Sequence, residues 1–116
     1  MINVASSQLD LKFVALADPT RRAILARLAR GDATVAELRA PFAISQPAIS
    51  RHLKLLEAAG LIESGQVAQA RPRRLKVEAL AETGAWTEGL EREWRARFDR
   101  LDALFEDLQN PERTTS

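Results

Sequence analysis

Between residues 45 and 76 six Lys and Arg side chains accompany only two carboxylates. Two of the cations, Arg51 and Lys54, lie in the run SQPAISRHLKLLEAAG at 45–60, beside the hydrogen-bonding side chains of Ser45, Gln46 and Ser50. The other four, Arg71, Arg73, Arg74 and Lys76, crowd around Pro72. Groups of these types neutralise and hydrogen-bond an extended anion. Lys and Arg bind phosphates whatever the base sequence, while Gln46 and Arg51 can hydrogen-bond base edges in a major groove. A solvated helix face has the same composition, so the residues alone leave both readings open.

Other chemistries find few residues to work with. There is no cysteine, which removes disulfides, thiolate nucleophiles and thiolate metal sites together. The one histidine, His52, falls at the edge of a buried helix face, where it reads as a boundary or flanking residue rather than a ligand. No Gly-rich phosphate loop and no Ser-His-Asp set is available, so enzymatic activity is not expected. Glu91, Asp99 and Asp102 could meet a hard cation, but a solvated acidic face accounts for them equally. We therefore expect no metal and no cofactor.

The elements that position these groups follow from spacing. Asp18-Pro19 reads as a helix start, with Asp as cap and Pro at a position whose N–H would be unpaired anyway. A helix over 19–30 then turns Ala23, Ile24, Leu25 and Leu28 inward and ends at Gly31. Thr34-Val35-Ala36-Glu37 has the capping-box pattern and predicts a short helix over 35–40, stopped near Pro41. Ser45 caps the next helix, 45–59, whose Ile49, Leu53 and Leu56 define a buried side opposite Pro47, Ser50, Arg51 and Lys54. Two helices joined by PFAI make a helix-turn-helix. Residues 61–67 and 73–77 read as a two-stranded hairpin with AQARP at its tip. DLKFVALA at 10–17 is a short amphipathic run, and 80–109 is the longest helix.

That last helix carries Trp86, Leu90, Trp94, Phe98, Leu101, Phe105 and Leu108 at steps of four or three, an apolar stripe roughly 33 Å long at ~1.5 Å rise per residue. A chain of 116 residues makes one small domain, whose core cannot bury this stripe as well as its other helix faces. A second copy packed side by side, helped by Phe13 and Leu16, would cover it. Recognition helices of such a homodimer would sit about one DNA turn, ~34 Å, apart, so a palindromic site follows. Trp86, Trp94, Phe98 and Phe105 could also line a pocket for a small-molecule effector between protomers. With 46% hydrophobic residues and no apolar run of the ~18 needed to cross a bilayer, a soluble protein without membrane association is expected. The start, MINVASSQLDLKF, does not read as a secretory signal, which points to the cytoplasm.

The run ALADPTRRAILARLARGDATVAELRAPFAISQPAISRHLKLLEAAGLI, with the Arg-rich hairpin and long helix after it, resembles the ArsR/SmtB family of winged helix-turn-helix repressors. ADPTRR and SQPAISRHLKLLEAAGLI are most similar to a branch often lacking metal sites. The resemblance implies a mainly α, dimeric winged-helix fold in a prokaryotic regulator of transcription. It implies that Gln46, Pro47, Ser50 and Arg51 face the major groove, that the hairpin with Arg71, Arg73 and Arg74 is the wing, and that the first and last helices form the homodimer. Metal-sensing members carry Cys pairs where this chain has VAELRA, and His with carboxylates where it has EREWRARFDRLD; neither set is present. The expected organisation is an N-terminal extension 1–9, a DNA-binding core 10–79, a dimerisation helix 80–109 and a tail 110–116. A winged helix used for protein interaction or RNA binding is the alternative, and it calls for an apolar or acidic outer face on helix 45–59.

Overall fold

The computed structural model describes residues 4–65 and 71–110, in the order α1 (Val4–Leu16), α2 (Pro19–Leu28), α3 (Val35–Arg39), α4 (Gln46–Ala58), β1 (Ile62–Ser64), β2 (Arg73–Leu75) and α5 (Val77–Gln109). Each helix from α2 to α4 starts at a side chain that takes over an orphan backbone donor. Asp18 accepts from Arg21 N–H, Thr34 from Glu37 N–H and Ser45 from Ala48 N–H. Around Thr34 the box closes in both directions, because Glu37 Oε1 accepts from the Thr34 backbone N–H at 3.2 Å and from its hydroxyl at 3.0 Å. Those two bonds hold the Glu37 carboxyl below its ordinary value.

The paired arginines of DPTRR explain how α1 can stop and α2 start with only two residues between them. Arg21 folds back and donates from Nε to Ala15 O at 2.8 Å and from Nη2 to Val14 O at 3.0 Å. Arg22 does the same to Leu16 O at 2.8 Å. These carbonyls lie in the last turn of α1, at the negative end of the helix dipole, where Val14 O also accepts from Ala17 N–H at 3.1 Å.

At the other end of the recognition segment, α4 closes with a Schellman motif: Leu61 N–H donates to Leu56 O at 3.0 Å and Gly60 N–H to Glu57 O at 2.9 Å. The geometry needs a left-handed residue, and Gly60 supplies it with φ 74°. The turn delivers Leu61, fully buried, straight into the core. β1 and β2 then pair antiparallel, with Ile62 opposite Leu75 and Ser64 opposite Arg73. Ala33, just before α3, adds an isolated bridge to Arg73, so the hairpin is stitched to the helix-turn-helix on its other side.

The described residues fall into two compact units, one ending at Thr83 and the other beginning at Gly84. The first holds the hydrophobic core, with Ile24, Leu38, Ile49, Leu56 and Leu61 fully buried. It also buries a cation: the Lys12 side chain, 7% exposed, reaches Glu82 Oε2 at 3.1 Å and ties α1 to the first turns of α5. The second unit is the remainder of α5.

Several boundaries differ from the sequence expectation. α1 starts at Val4 and runs through the expected extension 1–9. Ala23, expected inward, is exposed, because Ile24, Leu25 and Leu28 already cover the contact face of α2. The strands are shorter than 61–67 and 73–77: Leu61 belongs to the turn after α4, and Val77 opens α5. Gln66, Val67 and most of the expected tip lie outside the described residues, as does most of the tail.

Two predictions follow from these caps and turns. An added methyl at Gly60 and at Gly84 would meet nothing within 4 Å in either case. Gly60→Ala should still cost about 1–2 kcal/mol, from forcing an L residue into the left-handed region, whereas Gly84→Ala, mid-helix in α5, should stabilise by about 0.5–1 kcal/mol. Thermal unfolding midpoints that fall for the first and rise for the second are the expected result. The Arg21 backbone N–H, aided by the charge of the Arg21 guanidinium, lowers the Asp18 carboxyl below its ordinary value of 3.8. A depressed folded value means that the stability from this cap is present above pH 3.8 and is lost as the pH falls through the folded value. Asp18→Asn, which keeps a capping oxygen, should flatten the acid limb of a plot of unfolding midpoint against pH.

Candidate nucleic-acid interface

The rotation of α4 about its axis decides which of its side chains a partner can touch. Ile49, Leu53 and Leu56 are 0–3% exposed and lock that rotation. Gln46, Pro47, Arg51 and Lys54 are consequently exposed, together with the cap Ser45, and Ser50 is half-buried at the margin. Neither Arg51 nor Lys54 meets a carboxylate among the described residues. Their charges are available to an incoming anion without first breaking an ion pair.

The turn that presents the α4 N-terminus is braced from inside and outside. Phe42 and Ile44 pack against the core. On the outer side Arg39, at the end of α3, donates from Nε to Ile44 O at 3.0 Å and from Nη1 to Gln46 Oε1 at 3.3 Å. Arg39 was absent from the sequence expectation. Its i+5 and i+7 partners lie across a turn, where helical periodicity gives no signal.

The three arginines expected on the wing divide into different roles. Arg74 is exposed, and among the described residues its only side-chain partner is a loose 3.5 Å contact with Glu63. Arg71 is exposed, with φ 35°. Arg73, expected beside them as an outward cation, instead has a side chain 16% exposed, with Nε 3.0 Å from Glu57 Oε1. That pairing is electrostatic, because Nε lacks the alignment for a hydrogen bond. Nη1 of Arg73 donates to Arg71 O, and its backbone exchanges hydrogen bonds with Ala33 at 2.7 and 3.2 Å. Arg73 is a strut that fastens the wing to α4 and to the segment before α3. Ser64 Oγ donates to the same Glu57 oxygen at 2.8 Å and completes the joint.

His52 faces the α1–α2 corner. Its Nδ1 lies 3.3 Å from Arg21 Nη1 and 4.0 Å from Asp18 Oδ2. A guanidinium has no acceptor, so the contact with Arg21 is a hydrogen bond only in the tautomer whose Nδ1 is bare. Among the described residues no group of three His, Cys, Asp or Glu side chains stands close enough together to hold a metal ion.

Of the residues expected at a dimer contact, Trp86, Leu90, Trp94, Phe98, Leu101, Phe105 and Leu108 are each 50–74% exposed on α5. Trp94 and Phe98 stack edge to face with centroids 5.0 Å apart. Leu104, which the spacing passed over, is exposed among them. On α1 Leu11 and Val14 are exposed, whereas Phe13 is half-buried and Leu16 packs against the core.

Residues 16–65 match a family model described as a helix-turn-helix domain. The chain is 43% identical over 72 residues to the HTH-type transcriptional regulator Rv2034 of Mycobacterium tuberculosis, covering 62% of this chain and 67% of that protein. It is 38% identical over 74 residues to the transcriptional repressor SdpR of Bacillus subtilis, covering 64% and 82%. The crystal structure of the ArsR family transcriptional regulator RHA00566 superposes with a TM-score of 0.72 at 40% identity, over 76% of this chain and 97% of that one. With these relatives, the capped helix-turn-helix and the bridged hairpin, the chain belongs to the ArsR family of winged helix-turn-helix transcriptional regulators.

Proposed function

We propose that this regulator is a homodimeric, cytoplasmic repressor that binds a palindromic duplex operator and is not metal-responsive. As a winged-helix regulator of transcription it works on DNA, and the observation that carries the residue assignment is the state of its cations. Arg51 and Lys54 on α4, with Arg71 and Arg74 on the wing, are exposed, and only Arg74 has a carboxylate in range. In this reading Ser45, Gln46, Pro47, Ser50 and Arg51 meet base edges and the adjoining backbone, while Lys54, Arg71 and Arg74 meet phosphates. Arg73 holds the wing in place. The rival reading, a protein-interaction or RNA module, needs an apolar or acidic outer face on α4, and apart from Pro47 and Ala58 the exposed residues there are polar or basic. No helix among the described residues is long and apolar enough to cross a membrane.

The proposed organisation keeps 10–79 as the DNA-binding core and 80–109 as the dimerisation helix. Its support is the exposed stripe from Trp86 to Leu108, which is longer and more continuous than a soluble monomer tolerates. A second copy covers it by a symmetric contact of the same surface with itself. Half-sites one helical turn apart follow from that symmetry.

Arg51→Ala should relax base preference at one position per half-site and cost about 1–3 kcal/mol of operator binding. Arg74→Ala should instead weaken binding to every duplex alike and flatten the slope of log K against log salt by about one unit. A salt slope unchanged by Arg74→Ala removes the wing from the interface. In sedimentation equilibrium at low micromolar concentration the protein should run at twice its 12.9 kDa chain mass. Trp94→Glu, a charge set mid-stripe, should give a monomer that has lost cooperative operator binding.

A further inference from the structure

The contact between Arg39 and Gln46 fixes more than the shape of the turn. A guanidinium carries only donors, so the amide atom that faces Arg39 Nη1 at 3.3 Å has to be the oxygen of Gln46. Arg39 is not free to swing away, because its Nε is held by Ile44 O at 3.0 Å, on a turn whose Phe42 and Ile44 are seated in the core. The orientation of the amide is thereby set by chemistry rather than by chance rotation. Among the described residues nothing takes up Gln46 Nε2, and Gln46 is exposed at the first turn of α4.

We propose that Arg39 is a positioning residue that sets the polarity of Gln46, so that this glutamine reads guanine and discriminates against adenine. The inference rests on the reading of α4 as the DNA-recognition helix. A glutamine with both ends free pairs with adenine by accepting from N6 and donating to N7. Here the oxygen is engaged by Arg39, which competes with an N6 amino group for it. What remains outward is the NH2 group with two donors. Guanine presents two adjacent acceptors, O6 and N7, and is the base edge that matches. Thymine offers one acceptor, and cytosine offers an N4 donor that opposes the amide. Arg39 needs no base contact of its own for this effect.

The test uses the full-length protein and a randomised duplex library, with bound sequences counted for the parent, Gln46→Ala, Arg39→Ala, Arg39→Lys and Gln46→Glu. In the parent one position of each half-site should favour guanine over adenine by about tenfold, and Gln46→Ala should erase that preference. Arg39→Ala should shift the same position toward adenine and leave the other positions as they were. A merely structural role for Arg39 would weaken all positions together. Arg39→Lys should behave like Arg39→Ala, because a single ammonium cannot reproduce the forked contact to Ile44 O and Gln46 Oε1. Gln46→Glu leaves Arg39 in place but offers only acceptors, and should turn the position toward cytosine, which keeps the test decisive if Arg39→Ala does not fold. The inference is overturned if the position that depends on Gln46 selects adenine in the parent, or if it keeps its guanine preference in Arg39→Ala. A parent that enriches no sequence defeats the DNA reading itself, and this inference with it.

Discussion

The seating of one helix governs this structure. Ile49, Leu53 and Leu56 lie within about 60° on a helical wheel, and their near-complete burial leaves α4 a single rotation about its axis. A rotation of one residue, about 100°, would bring Ser50, Leu55 or Lys54 into the core and leave a cavity where Leu56 had been. Everything outward is set by that constraint. The residues at 46, 47, 51 and 54 face out because those at 49, 53 and 56 face in. The Schellman turn at Gly60 carries the consequence forward, because Leu61 enters the same core and β1 starts immediately after it. The root of the wing is therefore fixed relative to the recognition helix by the same buried side chains.

Arginine does two jobs in this chain, and burial and geometry separate them. Arg21, Arg22 and Arg39 point their guanidinium forks at carbonyls of a helix end and a tight turn. Arg73 neutralises a carboxylate beneath the wing. A lysine could not replace Arg21, since one ammonium cannot span two carbonyls held at fixed spacing. Arg51 and Arg74 remain on the surface, one with no carboxylate among the described residues and one with a long contact that a phosphate can displace.

Local order was legible in the sequence, and tertiary order much less so. The caps at Asp18, Thr34 and Ser45, the stop at Gly60 and the buried triplet of α4 depend on neighbours within four residues, and the expectation matches the structure there. Arg73 sits sixteen residues from Glu57 and forty from Ala33, so neither the ion pair nor the bridge leaves a periodic trace. For the same reason spacing gives no sign that Arg21 and Arg22 cap α1. On α1, Leu16, expected at a contact between copies, is half-buried against the core, while Leu11 and Val14 are exposed. DLKFVALA, expected to be amphipathic, instead spreads the apolar residues of α1 around most of its circumference, so spacing does not distinguish the side that meets the core. How the proposed dimer would cover the α5 stripe involves a second chain, which a single sequence describes only by its apolar excess.

Glu57 shows how the charge of the interface is made and not merely counted. It is the one acidic residue on α4, and left in solvent it would repel a phosphate backbone from the C-terminal half of the helix. Instead it accepts from Ser64 Oγ and lies 3.0 Å from the Arg73 guanidinium, so its charge is balanced internally by a residue of the wing. One cation is consumed in the process. What this pairing leaves is an α4 with Arg51 and Lys54 uncompensated, and a wing tied to the helix by the bond that cancels the unwanted charge. The fastening of the wing and the positive field of the recognition helix thus come from the same ion pair.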